Sequence, residues 1–285
     1  MTEECYRTYR RGFCSISNTV LCEGVFSDVT IGKMTHNKLL LAIKKFDMSA
    51  IPNNVLLLKL NVIKQFKHQN LANFVDSFIE DSKYLNVAIE LKGRPLSYVA
   101  NMIKPNESAI SIICHEVLQG LIYLHDLMII HRNVRPENVM ICWDGTVRLG
   151  DFGIDSCFST RYMSDAISTL DSKYSAPELL KGQRYGRKID VWSLGVVTVY
   201  MKRFNCKKNG KQVEFSPSIQ KFIDRCLRKN PEKRVYSKQL AQSTFVIEHG
   251  SFDEFRTLVK DLGEQYVRLI CRPLYWRMYV CCFDW

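Results

Sequence analysis

The chain contains 285 residues, of which 46% are hydrophobic and 24% are charged, and its formal net charge is +11. This length and hydrophobic content are sufficient for a large folded core, and they exclude a disordered tail and a disulfide-stapled mini-protein. The positive charge is compatible with an acidic partner, such as nucleic acid, anionic lipid or an acidic protein surface. A solvated basic surface explains it equally well, because Lys and Arg form no long block.

Targeting and redox features favour an intracellular protein. The first 15 residues include Glu3, Glu4 and several arginines, which is not the pattern of a secretory signal. No run approaches the roughly 18 uninterrupted apolar residues of a membrane-spanning helix. The 11 cysteines form neither a CxxC pair nor a zinc-spaced cluster with histidine, so we expect reduced thiols. We therefore expect the protein to be cytoplasmic or nuclear.

The first part of the chain predicts β-strands and one helix. Residues 20–33 and 39–46 are β-rich and flank the turn-prone Thr35-His36-Asn37, which predicts a hairpin. Pro52-Asn53-Asn54 has the composition of a helix start, and residues 55–66 carry apolar side chains at helical spacing.

After Lys92-Gly93 the pattern becomes helical. The predicted helices cover residues 108–128, 190–201, 218–227 and 237–244. Between the second and third of these lies a short, basic and polar stretch, residues 202–217. In the tail, Phe255, Leu258, Val259 and Leu262 fall at helical spacing, and residues 274–285 are rich in aromatic side chains. The chain thus predicts a small β-rich lobe followed by a larger helical lobe.

Several short motifs follow one another in a fixed order. The segment from His131 to Asn138 precedes Asp151-Phe152-Gly153 and then Ala176-Pro177-Glu178. This set resembles the HRDxxxxN, DFG and APE motifs of the eukaryotic protein kinases. Upstream, Ala42-Ile43-Lys44 resembles the family's phosphate-gripping lysine strand. Downstream, residues 190–195 and 230–234 resemble its central helix and the late arginine that pairs with the APE glutamate.

The resemblance covers residues 20–245 and implies an α+β, bilobal protein kinase-like fold. It implies an N-terminal extension over residues 1–19, a kinase-like N-lobe over 20–90 and a C-lobe over 91–245. Residues 246–285 form a C-terminal tail. The αG region of the C-lobe is shortened, because only the stretch of residues 202–217 occupies its place.

The resemblance also implies a nucleotide site and a metal site. The implied nucleotide-binding residues are Cys22, Gly24, Val29, Ala42, Lys44, Ile89, Glu90, Lys92 and Met140. Asn138 and Asp151 are the implied Mg²⁺ ligands, because amide and carboxylate oxygens are suitable hard ligands. ATP and Mg²⁺ are the only cofactors that the resemblance suggests.

The sequence departs from the family at the residue that acts as catalytic base. In the family an aspartate accepts the proton of the substrate hydroxyl, and here that position is Asn133. A carboxamide forms hydrogen bonds with a hydroxyl group but has no basic oxygen to accept its proton. No catalytic residue is therefore intact at this position.

Two further departures concern the lysine and the glycine-rich loop. The position of the αC glutamate falls on Lys59, and residues 48–75 contain no Asp or Glu. Only Gly24 remains of the glycine-rich loop, in which Cys22 and Ser27 add side chains beside the phosphates.

These departures indicate a pseudokinase that acts as an allosteric activator or scaffold through a protein partner, such as an active kinase. The STRAD-type adaptor pseudokinases are similar, although they keep the αC glutamate. A slow, active Ser/Thr protein kinase is the second hypothesis. A basic module for nucleic acid or lipid is the third, and the sequence favours a protein partner over nucleic acid. The aromatic tail is a candidate membrane-surface element.

Overall fold

The computed structural model describes residues 7–8, 14–22, 27–37, 39–48, 64–142, 144–150, 173–205, 207–208, 211–212, 214–248 and 250–260. These residues divide into two compact units. The first contains the described residues up to 66, residues 73–93 and those after 256. The second contains residues 67–72 and 94–256.

A six-stranded sheet dominates the first unit. Its strands are β1 (Arg7–Thr8), β2 (Cys14–Cys22), β3 (Ser27–Met34), β4 (Leu40–Asp47), β5 (Phe74–Glu80) and β6 (Tyr84–Glu90). The spatial order is β1-β5-β6-β4-β3-β2. The pairing of β1 with β5 is parallel, and the other pairings are antiparallel. The predicted hairpin at residues 35–37 is confirmed. The Met34 N–H donates to the Leu39 carbonyl across the turn, and the Leu39 N–H donates to Asn37 Oδ1 within it.

The alternation of side chains along β4 builds the core of this sheet. Leu41 and Ile43 are buried on one face, where they pack in a cluster with Cys14, Met34, Phe78 and Ala88. Gly32 on the neighbouring strand faces this cluster, and a Cβ atom there would lie 2.4 Å from Cδ1 of Ile43. A side chain at position 32 would therefore require the buried Ile43 side chain to shift.

The second unit is mainly helical. Its helices are α1 (Leu96–Ile103), α2 (Glu107–Asp126), α3 (Pro177–Leu180), α4 (Lys188–Lys202), α5 (Pro217–Cys226), α6 (Ser237–Ala241) and α7 (Thr244–Ile247). The short strands β7 (Gly93–Pro95), β8 (Val139–Cys142) and β9 (Val147–Leu149) form a small sheet. Helix α2 is the central element, and Asn106 caps its first turn by accepting from the Ala109 N–H at 2.9 Å.

The helices predicted over residues 108–128, 190–201 and 218–227 are confirmed as α2, α4 and α5, with shifts of a few residues at their ends. The stretch predicted as residues 237–244 is instead two short helices, α6 and α7. Between α4 and α5, the described residues form a 3₁₀ turn (Arg203–Asn205) and two antiparallel strands of two residues each, β10 (Lys207–Lys208) and β11 (Lys211–Gln212). No α-helix occurs among the described residues of this stretch, and its shortening relative to the family stays a prediction.

The start of the tail is helical, as its apolar spacing predicts. Residues 252–260 form a helix in which Phe255 and Val259 are buried. The Phe252 ring packs edge-on against the His115 ring of α2. Leu262 and the aromatic residues 274–285 lie outside the described residues, as does most of the helix predicted over residues 55–66. Within the described part of the chain, no helix has the length and apolar character needed to cross a membrane.

Candidate functional site

Four predicted nucleotide-site residues of the first unit lie on adjacent strands. Lys44 of β4 is paired in register with Val29 of β3, and Ala42 is paired with Ile89 of β6. Because side chains alternate along a strand, Lys44 and Ala42 point to the face opposite Ile43. The Lys44 Nζ lies 5.7 Å from the centre of the Phe46 ring. These four residues therefore form one patch of the sheet.

The end of β6 has its own polar contacts. The Glu90 carboxylate accepts from Asn73 Nδ2 at 3.1 Å and pairs with Lys92 Nζ at 2.8 Å. The Glu90 N–H donates to the Asn73 carbonyl. Glu90 and Lys92 are therefore held by each other and by Asn73 at the position that the resemblance assigns to the adenine-contacting segment.

In the second unit, the segment from His131 to Asn138 is organised by Asp190 in the first turn of α4. One carboxylate oxygen accepts from the His131 N–H and from His125 Nε2, both at 2.8 Å, and the other accepts from the Arg132 N–H at 2.8 Å. Although burial raises the pKa of this carboxyl group, the contacts with His125 and His131 outweigh burial and lower the pKa of Asp190. Asp190 is therefore a buried carboxylate that fixes the start of the segment.

The contacts of His131 define its tautomer. Its Nε2 lies 3.0 Å from the Gly150 carbonyl, which only accepts, so Nε2 carries the proton. Its Nδ1 accepts from the Asn133 N–H at 3.2 Å and is therefore unprotonated. Burial lowers the pKa of His131 to about 4, partly offset by the charge of Asp190. His131 is thus a neutral ring that connects the segment to the residue before Asp151.

The backbone of Arg132 adopts an unusual conformation. Its φ is 66°, in the left-handed region that non-glycine residues adopt at an energetic cost. The hydrogen bond from its N–H to Asp190 holds this conformation. The turn directs the chain from His131 into Asn133.

Asn133 and Asn138 are connected through the backbone. Asn138 Nδ2 donates to the Asn133 carbonyl at 2.8 Å, and the Asn138 carbonyl accepts from the Gly150 N–H at 2.7 Å. Because Nδ2 of Asn138 is used as a donor, its Oδ1 is the atom that suits a cation such as Mg²⁺. Within the described residues, no group of three or more His, Cys, Asp or Glu side chains forms a metal site.

A small depression beside Asn133 has room for about one water molecule. It is lined by the backbone and side chains of the segment and by residues of the following loop and helices. The polar and charged lining residues are Arg132, Asn133, Arg135, Ser175 and Ser193. Arg135 donates to Glu137 through Nε at 2.6 Å, and its guanidinium lies 5.9 Å from the centre of the Tyr174 ring.

The predicted pairing of Arg234 with Glu178 is confirmed. The Arg234 guanidinium donates to both carboxylate oxygens, at 2.6 Å and 3.0 Å, and both side chains are buried. Arg234 also donates to the carbonyls of Arg228 and Lys188. This residue therefore connects α3, the start of α4 and the turn after α5.

The structure describes only some of the remaining predicted site residues. Met140 lies on β8 of the second unit, in register with Arg148 of β9. The backbone of Cys22 is paired with Val29 at the end of β2. Gly24, Lys59 and Asp151 lie outside the described residues, and their roles stay predictions.

The sequence reasoning did not assign roles to Asp190 and His125 at the site. His125 lies at the end of α2, and its two ring nitrogens contact Asp190 and Ser237 at 2.8 Å and 2.9 Å. The motif that begins at Asp190 resembles the central helix of the family. Its contacts with His131 and Arg132, which lie 59 and 58 residues earlier in the sequence, are a property of the tertiary fold.

Comparison with known proteins shows which family has this arrangement. The family model of the protein kinase domain matches residues 16–246. The chain is 31% identical over 264 residues to the serine/threonine-protein kinase CLA4 of Candida albicans, covering 84% of this chain and 27% of the relative. It is 29% identical over 255 residues to the serine/threonine-protein kinase pakB of Dictyostelium discoideum, covering 80% and 30%. For the serine/threonine-protein kinase STE20 of Candida glabrata the identity is 26% over 246 residues, covering 79% and 27%. The chain thus spans less than a third of the length of each of these relatives.

Proposed function

The chain belongs to the protein kinase domain family, and on this premise we propose that it is a pseudokinase that acts by binding a partner protein. The observation that carries the proposal is Asn133, at the position of the residue that accepts the substrate proton in active relatives. A carboxamide at this position orients a hydroxyl group but does not deprotonate it. Loss of a general base costs about 10²–10⁴-fold in rate.

A second observation supports the same proposal. No Asp or Glu occurs between Met48 and Val75, so this segment has no carboxylate to pair with Lys44 as the αC glutamate does in active relatives. The resemblance assigns that position to the basic residue Lys59, whose ammonium group does not supply the carboxylate that pairs with the lysine in active relatives. In the proposal, the loss of this carboxylate adds to the loss of the proton acceptor.

The contacts in the second unit support a role in which the kinase fold serves as a rigid binding surface. The segment around Asn133 is held by hydrogen bonds of Asp190, His131 and Asn138. The ion pair of Arg234 with Glu178 connects the neighbouring helices. The proposed partner is a protein, such as an active kinase, that is activated or held in place, as for the STRAD-type adaptors. Lys44, Asn138 and Asp151 are the residue types that bind ATP and Mg²⁺, and bound nucleotide would stabilise this surface.

The second candidate is a slow Ser/Thr protein kinase. The three relatives named above are serine/threonine-protein kinases, and the residue types for phosphate and metal binding are retained. In this case Asn133 positions the hydroxyl group, and the loose transition state of phosphoryl transfer tolerates a weak base.

Transfer of labelled γ-phosphate from ATP to a generic protein substrate separates the two candidates. For a pseudokinase we expect the unmodified protein to give no more product than its Lys44→Ala variant. The Asn133→Asp variant shows whether the base alone limits the reaction, because it restores only that group. Transfer by the unmodified protein at the rate of an ordinary kinase, abolished by Lys44→Ala, would refute the proposal.

A further inference from the structure

The positive charge of the chain is concentrated in one region. Residues 173–238 contain 17 Lys or Arg and 5 Asp or Glu, an excess of 12 that accounts for the whole net charge of +11. Of these charged residues, the acidic Glu178 and Asp190 and the basic Arg234 are buried in the internal contacts described above. The surface of this region is therefore strongly basic.

Internal hydrogen bonds gather part of this basic region on one surface. The buried Arg234 guanidinium binds the carbonyls of Arg228 and Lys188, which brings the start of α4 next to the turn after α5. Lys188 Nζ donates to the carbonyls of Pro231 and Glu232 at 2.9 Å and 3.2 Å. The basic residues at the start of α4 and in the turn after α5 are therefore close in space, although they are distant in the sequence.

An exposed tyrosine lies among these cations. Tyr236 is 46% exposed, and the centre of its ring lies 4.5 Å from Lys188 Nζ and 5.7 Å from the Arg187 guanidinium. Such cation–π contacts hold the charged groups of these two half-buried side chains beside the ring. The result is an amphipathic site with an aromatic body and positive charge around it.

Two exposed apolar side chains adjoin the same site. Arg187 Nη1 and the Met128 N–H both donate to the His125 carbonyl, so Arg187 contacts the turn that ends α2. Met128 is 73% exposed and has a φ of 61°, and the preceding Leu127 is 47% exposed. Lys238 pairs with Asp126 of this turn at 2.8 Å.

We propose that this surface binds a membrane that displays anionic headgroups. The surface, called here the basic–apolar face, consists of Leu127, Met128, Arg187, Lys188, Tyr236 and Lys238. Its cations are attracted to anionic lipid, at about a fivefold gain in binding for each Lys or Arg near the membrane. The side chains of Leu127 and Met128 enter the acyl boundary, and Tyr236 lies at the headgroup level that its ring and hydroxyl favour.

The combination of features favours lipid over other polyanions. Single-stranded nucleic acid is held by several aromatic platforms, whereas the basic–apolar face has one aromatic ring that is already in contact with two cations. An acidic peptide makes use of the charges but gives no role to Met128, which projects from a tight turn. The proposal does not depend on the loss of phosphate transfer, so each of the two proposals can fail without the other.

Co-sedimentation of the full chain with vesicles tests this inference. Phosphatidylcholine vesicles are compared with phosphatidylcholine vesicles that contain phosphatidylserine, at low and high salt. We expect binding only to the second kind, and weaker binding at high salt because the surface charges are screened. Met128→Glu and Lys238→Glu are each expected to reduce binding by at least about fivefold.

Met102→Glu and Lys104→Glu are the matched controls. Both positions are exposed and precede the start of α2, whereas Met128 follows its end, about 30 Å away along a 20-residue helix. Thermal melting of each variant checks that it is folded. The inference is overturned if the unmodified protein does not distinguish the two kinds of vesicle, or if the control variants lose as much binding. Binding to single-stranded RNA or polyglutamate without vesicle binding would also overturn it.

Discussion

Arg234 and Glu178 form a buried, two-pronged ion pair across 56 positions of the sequence. Their N–O distances are 2.6 Å and 3.0 Å, and the side chains are 0% and 3% exposed. Arg234 also serves two backbone carbonyls. Removal of either partner therefore leaves a buried charge without compensation, which is more costly than the pair itself is stabilising.

Replacement of Arg234 by Met is expected to lower the free energy of unfolding by about 3–5 kcal/mol, because Glu178 stays buried without a cation. Arg256→Met is the control, since the pair of Arg256 with Asp253 is exposed and contributes less than about 1 kcal/mol. Urea denaturation of both variants measures the difference. Equal losses would contradict the role assigned to the buried pair.

Because the buried His131 ring is neutral, we predict that the free energy of unfolding declines as the pH falls from 6.5 to 4. Burial lowers the pKa of His131 to about 4, so in this range the unfolded chain binds a proton that the folded chain does not. Unfolding thus becomes more favourable at lower pH, by roughly 3 kcal/mol over the whole range.

Denaturation across this pH range measures the slope contributed by His131. His131→Phe is expected to make the slope shallower even though it lowers stability overall, and His131→Gln is a second variant without a titrating ring. His36→Gln, at an exposed position of the hairpin turn, is the control and leaves the slope unchanged. An unchanged slope in both His131 variants would show that the ring is not held neutral by burial.

The position of Lys44 on the sheet leads to a prediction about how nucleotide changes the thermal stability of the protein. If the sheet of the first unit holds phosphates, ATP with Mg²⁺ raises the unfolding temperature, because the ligand binds only the folded state. Lys44→Ala is expected to abolish this shift. Lys45→Ala is the control, since the Lys45 side chain points to the other face of β4 and pairs with Glu80 at 2.8 Å. A shift of the same size in Lys44→Ala would place the nucleotide elsewhere.

Helices α4 and α5 are in close contact at Gly195. A Cβ atom at this position would lie 2.4 Å from Cβ of Cys226 and 2.9 Å from Cδ2 of Leu227. Gly195→Ala is therefore expected to cost about 1–3 kcal/mol through overpacking. Gly186→Ala, where a Cβ atom meets nothing within 4 Å, is expected to be neutral or to stabilise by up to about 1 kcal/mol. Denaturation midpoints of the two variants give the comparison.

Sequence patterns were sufficient for the fold class because they depend on local periodicity and on motif order. The hairpin around residues 35–37 was predicted from β-rich segments that flank a turn-prone tripeptide, and the helix α2 was predicted from its amphipathic pattern. The pair of Arg234 with Glu178 was predicted by resemblance to the family. The division of residues 237–247 into α6 and α7 was not predicted, because the break depends on a turn that apolar spacing does not reveal.

The chemistry at position 133 was determined by the sequence alone, since the atoms of a carboxamide are the same in any fold and include no proton acceptor of sufficient basicity. The tertiary structure decided how that residue is held. Asp190 receives the N–H groups of His131 and Arg132 and the ring of His125, and these contacts are long-range. It also decided that Met128, Arg187, Tyr236 and Lys238 share one surface, because only packing of the ends of α2, α4 and α6 brings these separate segments together.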